Sequence, residues 1–226
     1  SYEVTIGSTG NITLTAQWEI ITYSITYNIP NANWVEENGF ILDNFISYNI
    51  KDGIVLPTEQ NIHRDYYEFK GWKISGECTQ NGNTVTSIPS WTYGNAVATA
   101  VWSPKPYDIT YVHIDTEREG NDKTPEYSPV TNNSPVKYDV ENHEIILDTP
   151  TCSGYTFLGW EYDGQTFNGG DTITLLEGST LPEGIVITGK WEPTEYNVTK
   201  FDANGGVWRD GYNPSTNTTY TITTGF

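Results

Sequence analysis

Few side chains in this 226-residue chain stand where they could do chemistry together. None of its three histidines, His63, His113 and His143, lies at metal-ligand spacing from another His or Cys. His113 sits in an alternating apolar stretch and reads as a packing or surface residue. Serine is common, but no Gly-x-Ser-x-Gly elbow occurs, and no glycine loop of the phosphate-cradling kind. No nucleophile, base and orienter can be assembled from these positions, so a non-catalytic protein without a cofactor is expected. Acidic loops are the candidates for holding a cation. Asp115, Glu117, Glu119 and Asp122 cluster in one insertion, and Asp163 and Asp171 flank Gly164 and the Asn168-Gly169-Gly170 turn. Calcium takes several oxygen ligands from such loops, although neither segment has the pattern of an EF-hand or of a calcium-binding nonapeptide repeat. The same residue types also build turns and hold water.

Charge and composition narrow the function classes. Twenty-nine acidic and eleven basic side chains give a formal charge of −18, which opposes nucleic acid and anionic membrane surfaces as partners. No run approaches the ~20 apolar residues of a membrane helix, so membrane insertion is not expected. The chain does not begin with Met and reads as a piece of something longer. Hydrophobic residues are only 36% of the chain while aromatic residues reach 14%, which points to several small cores anchored on large rings. Short runs of Thr, Tyr, Val and Ile between Gly, Asn, Asp and Pro predict a mostly β fold, α+β at most. Cys78 and Cys152 fall at unrelated places, and their spacing gives no ground for a disulfide.

The elements that position the aromatic residues recur. Trp18, Trp102 and Trp191 are each followed by four residues and then by Tyr23, Tyr107 and Tyr196, with spacings of 84 and 89 residues. Inside each interval lies a second landmark: Tyr67, Phe69, Gly71 and Trp72 in the first, and Tyr155, Phe157, Gly159 and Trp160 in the second, 88 residues on. Tyr23, Ile25, Tyr27 and Ile29 alternate with Ser24, Thr26 and Asn28, the period of a half-buried strand, and Tyr107, Ile109 and Tyr111 repeat it. Lys200 adds a residue to the third copy, where a β-bulge is expected. The stretches that end on Trp18 and Trp191 alternate too, and a small residue stands two before each of the three Trp: Ala16, Ala100 and Gly189. Something must pack closely there. Gly71 and Gly159 should mark a bend or bulge.

These landmarks divide the chain into the C-terminal part of one repeat (1–18), two modules (19–102 and 103–191) and the N-terminal part of another (192–226). Two of the three four-residue joints contain proline, unlike a flexible Gly/Ser tether, so the modules should form an extended rod. Trp34 and Trp208 hold matching positions after the first strand and Trp91 has no counterpart; all three stand outside the framework set of Trp18, Trp72, Trp102, Trp160 and Trp191. If exposed, these three could bind a sugar or a protein; packing or contact between modules is the favoured reading.

The order of landmarks resembles the Listeria–Bacteroides repeat, the internalin B-repeat. The resemblance is clearest in Tyr196-Asn197-Val198 with Phe201-Asp202-Ala203-Asn204-Gly205-Gly206, in Gly154-Tyr155-Thr156-Phe157-Leu158-Gly159-Trp160, and in Leu14-Thr15-Ala16-Gln17-Trp18. It covers essentially the whole chain. The first module departs from it, with Asn31-Ala32-Asn33-Trp34 in place of Asn-Gly-Gly, and both modules carry longer insertions between the first and second strands. The resemblance implies small β-grasp-like modules on a large bacterial surface protein and no catalytic residues. The expected function is therefore a spacer or stalk of a cell-surface adhesin, whose partners are neighbouring modules. The alternative is an interaction module that binds a host protein or glycan through its variable loops, or that self-assembles into a filament by strand complementation.

Overall fold

The computed structural model describes residues 3–37, 39–78, 83–117, 125, 129–198, 201–202, 204–206 and 219–223. The chain divides into two compact units, Ser1–Ser103 and Pro104–Phe226. Unit 1 carries β1 (Thr22–Asn28), β2 (Asn33–Trp34), a 3-10 turn (Leu42–Phe45), β3 (Ser47–Asn49), β4 (Ile54–Val55), β5 (Ile62–His63), β6 (Tyr67–Gly76), β7 (Ser87–Ile88) and β8 (Ala96–Pro104). Unit 2 carries β9 (Tyr107–Asp115), β10 (Lys137–Tyr138), β11 (Glu144–Ile146), β12 (Tyr155–Tyr162), β13 (Gln165–Phe167), β14 (Thr172–Thr174) and β15 (Ile185–Pro193). A last hairpin joins β16 (Tyr196–Asn197) to β17 (Thr219–Tyr220). The fold is mostly β, as composition predicts. Among the described residues no helix is long and apolar enough to cross a membrane.

The principal strands follow the same order in both units. In unit 1 the sheet runs β3-β1-β8-β6, and in unit 2 β10-β9-β15-β12 with β13 added at the edge. The first strand pairs antiparallel with the second, Tyr23 opposite Tyr48 and Tyr107 opposite Tyr138. It pairs parallel with the last, Ile25 opposite Ala96 and Ile109 opposite Ile185. The strand ending on the repeated Trp is thus internal to the sheet. A strand there has neighbours on both sides and one face on the core, so its inward residues must be apolar or small. Ala96, Ala98 and Ala100 in β8, and Ile185, Ile187 and Trp191 in β15, are all buried. The alternation read in the first strand also holds: Ile25 is buried between exposed Ser24 and Thr26, and Ile109 between exposed Asp108 and Thr110.

Gly159 makes the bulge expected of it. The pairing of β12 with β15 shifts register between Phe157 and Gly159, where φ is +140°. Gly71 has φ +113°, and a Cβ there would lie 3.1 Å from the Val85 carbonyl oxygen. These positions are open to glycine because it has no side chain and tolerates positive φ. The bulge expected at Lys200 lies outside the described residues.

Residues 3–21 form no strand, although Ile12, Leu14, Ala16 and Trp18 repeat the alternation of β8 and β15. Ile12, Leu14 and Trp18 are exposed, Trp18 by 90%. Core packing was expected for Trp18. The neighbouring strands that bury Trp191 have no counterpart beside it among the described residues. Cys78 and Cys152 are both buried free thiols.

Candidate functional site

The ring framework builds the interior of each unit. Trp72 is fully buried and its indole N–H donates to the Pro57 carbonyl at 2.7 Å. Trp160, equally buried, donates to the Asp148 carbonyl at 2.8 Å. Phe69 meets Trp72 and Trp102 edge-on, with centroids 5.2 and 5.3 Å away, and Phe157 meets Trp160 and Trp191 at 5.1 and 5.0 Å. Such tilted pairs add to area burial because ring edges are positive and faces negative. The Tyr pair across the first two strands recurs three times. Tyr23–Tyr48, Tyr107–Tyr138 and Tyr196–Tyr220 have centroids 5.7, 5.7 and 5.6 Å apart. Tyr48 and Tyr138 each donate their hydroxyl to a backbone carbonyl, of Gly94 and Pro182, at 2.6 Å. Burial drives both phenols above their ordinary pKa.

The third Trp position differs between the units. In unit 2 the Trp191 indole N–H donates to Nδ1 of His113 at 3.2 Å. His113 also faces Trp160, with centroids 5.6 Å apart. Gly189 makes room for it: a Cβ there would meet His113 Nδ1 at 2.7 Å and the Trp160 ring at 3.0 Å. The close packing expected at the small residue two before the Trp is thus present. Burial pushes the His113 pKa below its usual value. In unit 1 the Trp102 indole nitrogen is buried without a hydrogen-bond partner among the described residues.

The two described acidic candidates, Asp115 and Glu117, are placed differently. Asp115 is 1% exposed, Glu117 is exposed, and Glu119 and Asp122 lie outside the described residues. Asp115 Oδ1 accepts the Glu117 backbone N–H at 3.0 Å, a turn-capping bond, while Oδ2 is buried without a partner among the described residues. Asp171 likewise accepts the Asn168 backbone N–H at 2.6 Å, which closes the Asn168-Gly169-Gly170 turn. Among the described residues no group of three His, Cys, Asp or Glu side chains gathers as a metal cage.

The three Trp outside the framework set differ in placement. Trp34 is half-buried and packs on Trp72, Tyr27 and Phe40, with centroids 6.0, 5.3 and 5.7 Å away. It therefore serves the core of unit 1. Trp91 is 78% exposed, near the equally open Tyr93, and has φ +66°. That φ is costly for a bulky side chain. Its backbone N–H donates to the Ile50 carbonyl at 2.6 Å, which helps hold the turn. Trp208 lies outside the described residues.

The first two residues of two joints belong to the strands before them, a feature the sequence did not reveal. Ser103 and Pro104 end β8, and Glu192 and Pro193 end β15. Pro193 pairs with Tyr155 in β12. The Thr194 backbone N–H then donates to the Gly154 carbonyl at 2.9 Å, and the hydroxyls of Thr194 and Thr156 meet at 2.9 Å. Beyond the joint, Ile222 packs on the cluster of Cys152, Tyr155 and Trp191, with Val130 and Phe157 at its margin. Burial there raises the Cys152 thiol pKa. The signal available in the sequence was the aliphatic residue two after each second-strand Tyr: Ile50, Val140 and Ile222.

No family model matches the chain. It is 29% identical over 165 residues to a protein of Evansella cellulosilytica named "Putative Gly-rich membrane protein", covering 69% of this chain and 17% of that protein. A second protein of that organism, named "Putative membrane protein", is 26% identical over 196 residues, covering 86% of this chain and 24% of its own length. The chain thus spans less than a quarter of the curated relatives it matches. No solved structure matches.

Proposed function

We propose that this chain is a stretch of a non-catalytic spacer, built of modules like the Listeria–Bacteroides repeat, that holds another part of a bacterial surface protein away from the cell. The observation that carries this reading is the joint. After Trp102 and Trp191 the chain continues as strand through Pro104 and Pro193, rather than as a loose tether. A joint that continues a strand and carries proline would bend less than a Gly/Ser tether, and a series of such joints would keep distance. The parallel first and last strands, internal to a mixed sheet, favour the β-grasp-like description. The formal charge of −18 suits a displayed chain that repels its like. The two longer relatives are named as membrane proteins, which is in keeping with a stalk that belongs to a surface-attached whole.

The interaction reading rests on exposed groups: Trp91 and Tyr93 in one loop, and the apolar alternation of Ile12, Leu14 and Trp18. An in-frame deletion of residues 103–191 from the longer protein separates the two. The spacer reading expects shorter reach with the binding or activity of the remaining parts retained, and full recovery when an unrelated stiff module of similar length is inserted. Loss of binding that only the original module restores would overturn it in favour of the interaction reading.

A further inference from the structure

In unit 2 the hairpin after the joint sends one aliphatic side chain into the body of the unit. Ile222 lies two residues past Tyr220, and its branched end sits directly over Gly154. A Cβ on Gly154 would lie 2.6 Å from Ile222 Cδ1, 3.0 Å from its Cβ and 3.2 Å from its Cγ1. Any side chain at 154 would therefore occupy the space that Ile222 fills. Gly154 also has φ +81°, so it turns the chain into β12 while leaving a notch above its backbone. The floor of the notch is apolar and well packed: Tyr155 is 7% exposed, Cys152 7% and Trp191 1%. The Gly154 carbonyl meanwhile accepts the Thr194 N–H, so one residue binds the joint through its backbone and receives Ile222 above its Cα.

Ile222 is not an incidental occupant. Each second strand places an aliphatic residue at the same step, Tyr48 to Ile50, Tyr138 to Val140 and Tyr220 to Ile222. The hairpin that carries Ile222 is short, two residues paired on each side, and its Tyr196 and Tyr220 are exposed. Two-stranded ribbons of that length are marginal in water, so this one needs an outside anchor. The corresponding surface of unit 1 has Tyr66 in place of Gly154 and Arg64 in place of Cys152, with the Arg64 guanidinium carbon 3.5 Å from the centre of the Tyr67 ring. A cleft of about 280 Å³ remains there, lined in part by Ile62, Arg64, Tyr67, Phe69 and Trp102. The glycine notch therefore belongs to unit 2.

We propose that the recess around Gly154 is a socket for the aliphatic side chain that follows the second strand of the next module, and that seating Ile222 in it locks the joint at residues 192–195. The partner is a second-strand segment of the form Tyr-x-Ile or Tyr-x-Val. The inference deepens the spacer reading, since it names what makes a joint stiff.

The test is amide hydrogen exchange, followed residue by residue on the full 226-residue chain. Ile222→Asp should lower the protection of the Thr194 amide at least tenfold. It should leave the Ile187 amide, in the core of unit 2, within about threefold of its original value. Ile222→Val should keep Thr194 protected. Gly154→Ala, which fills the notch, should reproduce the Asp variant. If Gly154→Ala instead disrupts unit 2 as a whole because of its positive φ, the Ile222 pair decides alone. Thr194 protection that is the same in Ile222→Asp and in the original chain would overturn the socket. Thr194 exchange reads the socket alone, and reach or scattering reads the spacer, so either can fail without the other.

Discussion

His113 and the Trp191 indole show how one side chain makes the two units unequal. A neutral imidazole accepts at Nδ1 only when its proton is on Nε2, and protonation removes the acceptor. The hydrogen bond from Trp191 at 3.2 Å therefore requires neutral His113. Burial acts in the same direction and lowers the folded pKa below the ordinary value near 6.5. Below that ordinary value the unfolded chain takes up the proton first, so unit 2 keeps its full stability above about pH 6.5 and loses it as pH falls toward the folded pKa. Ile29 stands at the corresponding place in unit 1, which has no such group. Unfolding followed by denaturant between pH 7 and 5 should show the unit 2 transition moving to lower denaturant more than the unit 1 transition. His113→Gln should shrink that difference. Equal shifts in both units would show that the imidazole is not the sensor.

At the scale of elements, the close approach of three strands around Gly189 is the most exacting contact. Its Cα faces His113 in β9 and Trp160 in β12 at distances that leave no room for a methyl group. Gly189→Ala should destabilise unit 2 by about 1–3 kcal/mol, as over-packing does in a filled core, with unit 1 unchanged in the same melt. A neutral substitution would mean that His113 swings aside without cost. Much of this element layer could be read from residue order. The alternation around Ile25 and Ile109 gave the first strands, the small residue two before Trp191 gave the close contact at Gly189, and Gly159 gave the bulge, whereas Ala16 before Trp18 stands exposed outside any strand. Strand order was not legible, because period two tells which face is buried and not which strand lies alongside. The parallel neighbour of β1 lies about seventy residues away, and only the folded chain brings Ala96 to Ile25. Candidate sites were harder still. Asp115 and Glu117 look alike in an acidic run, yet one is capped in the core and the other is exposed. Trp34 and Trp91 both stand outside the framework set, yet one packs on Trp72 and the other stands in solvent on a strained turn. Burial of a loop side chain depends on what the rest of the sheet presents to it, and local composition does not carry that.

For the whole molecule, the spacer reading turns on whether successive modules are held apart. The sequence carries proline in two of its three joints and a formal charge of −18, so the spacer reading expects extension. Small-angle scattering of the 226-residue chain at physiological salt tests this most directly. A compact globule of this length has a radius of gyration of about 17 Å, whereas two units of about 13 Å each placed end to end would give a value above about 20 Å. The spacer reading expects the larger value, with a long-tailed distance distribution that persists when salt screens the charges. A value near that of the compact globule would contradict it.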